Sequence, residues 1–121
     1  MKTFIISTAI FSALIAIIIF NNIYINNSAE KLEELAGNIT TGTGNIEERV
    51  AELEAFWNKN KDKMEFTTNH TSINSIGIKI INIRLFADNH DDIQLAREVL
   101  LLKEEIREMR RLEKFSIENI F

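Results

Sequence analysis

Residues 73–87 read INSIGIKIINIRLFA, and the fold class turns on whether they form a strand or a helix. Ile76, Ile78 and Ile80, then Ile81, Ile83 and Leu85, alternate as strand residues do, in a segment rich in β-branched side chains. The alternation changes phase at Ile80-Ile81, so one flat strand would send its two halves to opposite faces. Wound as a helix, the segment presents Ile73, Ile76, Ile80, Ile83 and Ala87 on one face. Ile78, Ile81 and Leu85 lie nearly opposite, the pattern of a central helix that touches a neighbour on each side. No partner strand is read elsewhere, so the segment is expected to be helical.

Working outward, Ile46, Val50, Leu53, Trp57 and Met64 upstream form a narrow stripe at 100° per residue. Asn45 suits the cap of that helix, with Glu48 three residues on in the position of a capping box. Downstream, Leu95, Val99, Leu102, Ile106 and Met109 repeat at 4-3-4-3 spacing after a cap at Asp91 or Asp92, with Ile93, Ala96 and Leu100 expected to broaden the stripe. Arg107, Arg110, Arg111 and Lys114 load the negative end of this helix's dipole. Loops near Phe66–Thr71 and Asp88–His90 are short, which predicts an antiparallel three-helix bundle over residues 45–121.

Thr3–Phe20, TFIISTAIFSALIAIIIF, is uncharged and Ile-rich. At about 1.5 Å per residue it spans roughly 27 Å, close to the hydrocarbon thickness of a bilayer. Residues 1–27 are therefore read as a transmembrane anchor, with Asn21, Asn22 and Tyr24 at the interface. A cleaved signal peptide would have a shorter apolar core and a small-x-small site, and Asn27-Ser28-Ala29 is a poor one. The two-residue tail ahead of the span, carrying Lys2, predicts a cytoplasmic N-terminus and an extracytoplasmic domain. Ser28–Ala36 reads as a short helical stalk stopped by Gly37, and Asn38–Gly44 as a flexible connector, so residues 28–44 are expected to be stalk and linker. The fold class is all-α: an N-terminal transmembrane helix followed by a three-helix bundle.

Composition narrows the function classes. The chain has 121 residues, no proline and no cysteine, which leaves helices unbroken and excludes disulfides and thiolate metal sites. Its net charge of −4 is spread along the chain, whereas nucleic-acid binding needs a concentrated basic face. His70 and His90 fall at opposite ends of one predicted helix, roughly 24 Å apart, and cannot share an ion. Asp88, His90, Asp91 and Asp92 lack the glycine and the later glutamate of an EF-hand calcium loop and read as turn and cap residues. Gly42-Thr43-Gly44 has no preceding strand and no lysine, so it is a linker rather than a phosphate loop. No nucleophile–base constellation emerges. Neither catalysis nor a cofactor is expected.

What remains is a surface. The antiparallel arrangement places the end of the second helix, the start of the third and the C-terminal tail at one pole. There His70 is expected near Phe66 and Phe115, with Glu118 as a further neighbour, a setting for ligand binding or a pH response. The simpler reading is a loop histidine serving exposed helix ends. Trp57 lies on the seam and reads as core. Phe115, Ile117, Ile120 and Phe121 make an apolar tail that is costly to leave in water. The candidate interaction residues are Trp57, Phe66, His70, Phe115, Ile117, Asn119, Ile120 and Phe121.

The anchor with its Asn-rich juncture and Tyr24, then Trp57, then Phe66-x-x-x-His70, and finally Ser116-Ile117-Glu118-Asn119-Ile120-Phe121 resemble the small single-span bacterial proteins catalogued as domain of unknown function (DUF) 4363. The resemblance covers nearly the whole chain; the terminal SIENIF and the single-span layout are its most specific parts. It implies no activity and no catalytic residue. Genes of that family often lie beside those for YetF-like multi-span membrane proteins, which implies an accessory subunit. The expected role is a membrane-tethered interaction module for another membrane protein, held in the bilayer through Thr3 to Phe20 and compatible with self-association. The alternative is an extracytoplasmic sensor of pH or a small ligand at the His70 pole.

Overall fold

The computed structural model describes residues 1–42 and 44–120, Ile120 by its backbone alone. It contains four helices: α1 (Lys2–Thr41), α2 (Ile46–Thr67), α3 (His70–Asp88) and α4 (Asp92–Ile120). Among the described residues there is no strand, and residues 73–87 are helical as their phase change requires. The turns between helices are short, so successive helices run antiparallel. Each packs on two neighbours in a ring, α1 on α2, α2 on α3, α3 on α4 and α4 back on α1.

The stripes read from the sequence form the core. Val50, Leu53, Trp57 and Met64 of α2, and Leu95, Val99, Leu102, Ile106 and Met109 of α4, are buried. So is the face of α3 made by Ile73, Ile76, Ile80, Ile83 and Ala87. Asn45 caps α2 by accepting from the Glu47 amide at 2.9 Å, and Asp91 accepts from the Gln94 amide at 3.2 Å at the start of α4.

The fourth wall of the bundle is α1 itself, which revises the expected stalk and connector. The helix runs unbroken for 40 residues, roughly 60 Å at 1.5 Å per residue. Its second half buries Ile25, Ser28, Ala29, Leu32, Leu35, Ala36 and Ile39. These recur every three or four residues, and their burial outweighs the roughly 1 kcal/mol that Gly37 costs inside a helix. Gly37 lies where the Lys103 side chain of α4 crosses, 3.4 Å from the place a Cβ would take. Thr40 and Thr41, read as connector residues, bond their hydroxyls back to the Gly37 carbonyl at 3.3 and 2.9 Å. The helix stops at Gly42, whose amide donates to the Asn38 carbonyl at 2.9 Å.

Two further expectations change. Ile78, Ile81 and Leu85 meet no second neighbour; α3 is a wall of the ring, and this face points outward. Ile93, Ala96 and Leu100 do not broaden the core stripe of α4 but are exposed, since the ring closes on the narrower seam. Tyr24, just beyond the apolar stretch, also joins the bundle: it is half-buried against the core and its hydroxyl donates to Asn60 Oδ1.

The first half of α1 projects beyond the ring. It is long and apolar enough to cross a membrane, and none of its most apolar 18-residue window is buried. Phe4, Ile5, Ile6, Phe11 and Phe20 are each more than half exposed.

Candidate functional site

The end of α2, the start of α3 and the end of α4 share one pole, as the antiparallel order demands. The four-helix ring fixes where on α1 that pole falls. Thr67, Thr68 and Asn69 form a cleft with Leu112, Phe115 and Ile117, and its other wall is Ile18, Asn21 and Asn22 of α1. The pole therefore lies level with the end of the apolar stretch. A neighbouring groove holds Phe66 and Lys63 against Asn21 and Tyr24.

Of the expected interaction residues, Phe115 and Ile117 are brought together in this cleft, and Phe66 stands beside it almost wholly exposed, at 92%. Asn119 is exposed on the last turn of α4. The Ile120 side chain and Phe121 lie outside the described residues. His70 opens α3, and its Nδ1 meets Glu65 Oε1 at 2.5 Å, with the His70 side chain largely in solvent and that of Glu65 about half covered. Its carboxylate partner is thus Glu65 rather than Glu118, because both flank the same tight α2–α3 turn.

Trp57 stands apart, three turns up α2, and is core as read, at 6% exposure. Its indole lies over Gly77, 3.6 Å from where a Cβ would sit, so that the missing side chain lets α2 and α3 close up around the ring. Beside it a shallow groove runs between α2 and α3, lined by Asn58, Lys61, Asn74, Ile78 and Ile81. Arg84 bridges these two helices, pairing with Glu54 across the groove and with Asp88 on its own helix. The hydrogen bond to Glu54, then the neighbouring negative charge, hold the Arg84 guanidinium above its ordinary pKa.

The basic end of α4 does more than complement a dipole. Arg107 Nε reaches Glu33 Oε1 of α1 at 3.1 Å, and Arg110 Nε reaches Asn26 Oδ1 at 3.1 Å. Spacing along one helix cannot show such partners, which lie more than seventy residues away. Among the described residues no three His, Asp or Glu side chains gather to hold a metal. The surface offers grooves in which apolar side chains sit beside polar and charged ones.

A family model described as "Domain of unknown function (DUF4363)" matches residues 19–120. The chain belongs to this family. The DUF4363 match takes in the packed half of α1 together with α2, α3 and α4. It also includes the pole and the Ser116–Ile120 tail. No curated protein and no solved structure matches the chain.

Proposed function

We propose that this DUF4363 chain is a single-span membrane protein whose bundle stands outside the cytoplasm and docks the extramembrane part of another membrane protein through α3. The observation that carries the proposal is the outward face of that helix. Ile78, Ile81 and Leu85 are 55%, 68% and 52% exposed, although the opposite face of α3 already completes the core. Three large apolar side chains in one line are costly in water and are the usual mark of a contact surface.

The fold argues for what meets them. α3 begins at the pole level with the end of the apolar stretch, so these residues lie roughly 12–22 Å farther along its axis. A face held at that height is most readily met by a protein confined to the same bilayer, where anchoring raises the effective concentration. The YetF-like multi-span proteins implied by the sequence resemblance fit this description. Retention of the anchor is supported by the core: cleavage after Ala29 would remove Ile25, Ser28 and Ala29 from it.

A photo-cross-linking residue at position 81, in the full chain in its own membranes, tests the contact. The expected result is one defined adduct that is lost from an Ile78→Glu variant and absent when the cross-linker replaces exposed Glu104. Absence of an adduct at position 81 contradicts the proposal, and an adduct of twice the chain's mass assigns the face to a second copy. Because the chain has no cysteine, Glu104→Cys reports the side of the membrane. Labelling by an impermeant maleimide in intact cells is expected, and protection would reverse the orientation.

The pH-sensing alternative draws on the His70–Glu65 pair alone. With 73% of the His70 side chain in solvent, that pair has less physical leverage than the α3 face.

A further inference from the structure

We propose that the pole of the bundle is itself a membrane contact, with Phe66 and Phe115 seated at the boundary between lipid headgroups and acyl chains. The proposal rests on the anchoring of α1 described above, and adds that the bundle lies on the bilayer rather than being held clear of it.

Three observations point to a lipid surface as the occupant. First, α1 has no hinge. It passes from its apolar stretch into the core as one helix, so the height of the bundle is set by the span and cannot be relaxed by a linker. With Lys2 at one boundary, a hydrocarbon layer of about 30 Å ends near residues 20–22. Second, Asn21 and Asn22, which belong at that boundary, line the same clefts as the turn between α2 and α3 and the end of α4. Third, Phe66 and Phe115 are the exposed phenylalanines outside the apolar stretch among the described residues, while Phe56 and Phe86 are packed on the core. Both exposed rings thus fall where an aromatic side chain gains by leaving water for the interface.

Charge plays the smaller part. The pole carries Lys63, Arg110, Arg111 and Lys114 against Asp62, Glu65, Glu113 and Glu118, a balanced set that gives no strong pull toward anionic lipid. Contact through the rings predicts docking on neutral phosphatidylcholine, where a polybasic surface would need anionic lipid.

The full chain is reconstituted in phosphatidylcholine vesicles with a nitroxide on Ser116→Cys, an exposed site beside Phe115 that leaves both rings in place. Its relative accessibility to oxygen and to a water-soluble nickel chelate is compared with labels on Ile10→Cys and Leu100→Cys. The expected oxygen preference at position 116 is several-fold above that at position 100 and below that at position 10. In a Phe66→Ser, Phe115→Ser background it falls toward the position 100 value while the helical circular dichroism is kept. A label at 116 as water-exposed as at 100, or one indifferent to loss of both rings, overturns the proposal. Spin–spin broadening at 116 overturns it too and gives the pole to a second copy. If the position 10 label is also water-exposed, the anchoring itself has failed, a result distinct from a bundle that is anchored but undocked.

Discussion

The Tyr24 hydroxyl donates to Asn60 Oδ1 at 2.9 Å, and Asn60 is turned to receive it because its own Nδ2 donates to the Phe56 carbonyl at 2.9 Å. This is a direct polar tie between α1 and α2, just beyond the end of the apolar stretch. Tyr24→Phe removes the donor and leaves a half-buried acceptor, at a cost of about 1 kcal/mol. Thermal unfolding in mild detergent should show a midpoint about 4–8 °C lower for a domain of this size. A double-mutant cycle with Asn60→Ala should be non-additive; additive losses would mean the two do not interact.

Gly37 distinguishes a helix that stops from one that continues. In a helix-ending, left-handed position, replacing glycine with alanine destabilises; inside a helix it stabilises by about 1 kcal/mol. Gly37 sits within α1, and an added methyl would meet only the flexible end of Lys103. Gly37→Ala should therefore raise the unfolding midpoint. Gly42→Ala should lower it, because a Cβ there would lie 2.5 Å from the Asn38 carbonyl.

The two faces of α3 should respond differently to the same change. Ile83 is fully buried, and Ile83→Ala should cost about 2–5 kcal/mol through lost contacts and a cavity. Ile81 is 68% exposed, and Ile81→Ala should shift stability by no more than about 0.5 kcal/mol. Equal losses measured by denaturant unfolding would mean that the outward face is covered within the monomer.

His90 takes φ +57°, the left-handed conformation, in the turn between α3 and α4. There its amide donates to the Ala87 carbonyl at 3.2 Å. An L-residue at such a position costs about 1–2 kcal/mol that glycine avoids. His90→Gly should be more stable than His90→Ala by about 1 kcal/mol in paired thermal melts, and the reverse order would show that the imidazole ring holds the turn.

How much of this was legible in the sequence follows from the range of each interaction. The seams from Ile46 to Met64 and from Leu95 to Met109 are local patterns, and each of their named residues is in the core except Ile46, which is half-buried against it. The phase change at Ile80-Ile81 likewise settles α3 without knowledge of its neighbours. The packing of α1 was harder to read, because Gly37 and the threonines after it carry strong local signals for a helix end. Those signals yield to a buried stripe that abuts an apolar run and so does not stand out from it. Periodicity identifies apolar positions but not which of them find partners, which is why Ile78, Ile81, Ile93 and Leu100 turn out exposed. At the candidate site, grouping Phe115 and Ile117 followed from helix order alone. Their height against Ile18 and Asn22, and the ties from Arg107 and Arg110 to α1, depend on three-dimensional packing that no single segment encodes.

The central claim is that one continuous helix both provides the apolar span and forms the fourth wall of the bundle. Amide hydrogen exchange on the full chain in vesicles measures this along the whole of α1. Protection should run unbroken from the apolar stretch through Ile39, with Ile25–Ile39 exchanging as slowly as Leu95–Met109. Rapid exchange across Ile25–Ile39, or a fast-exchanging break near residues 21–24, would contradict it.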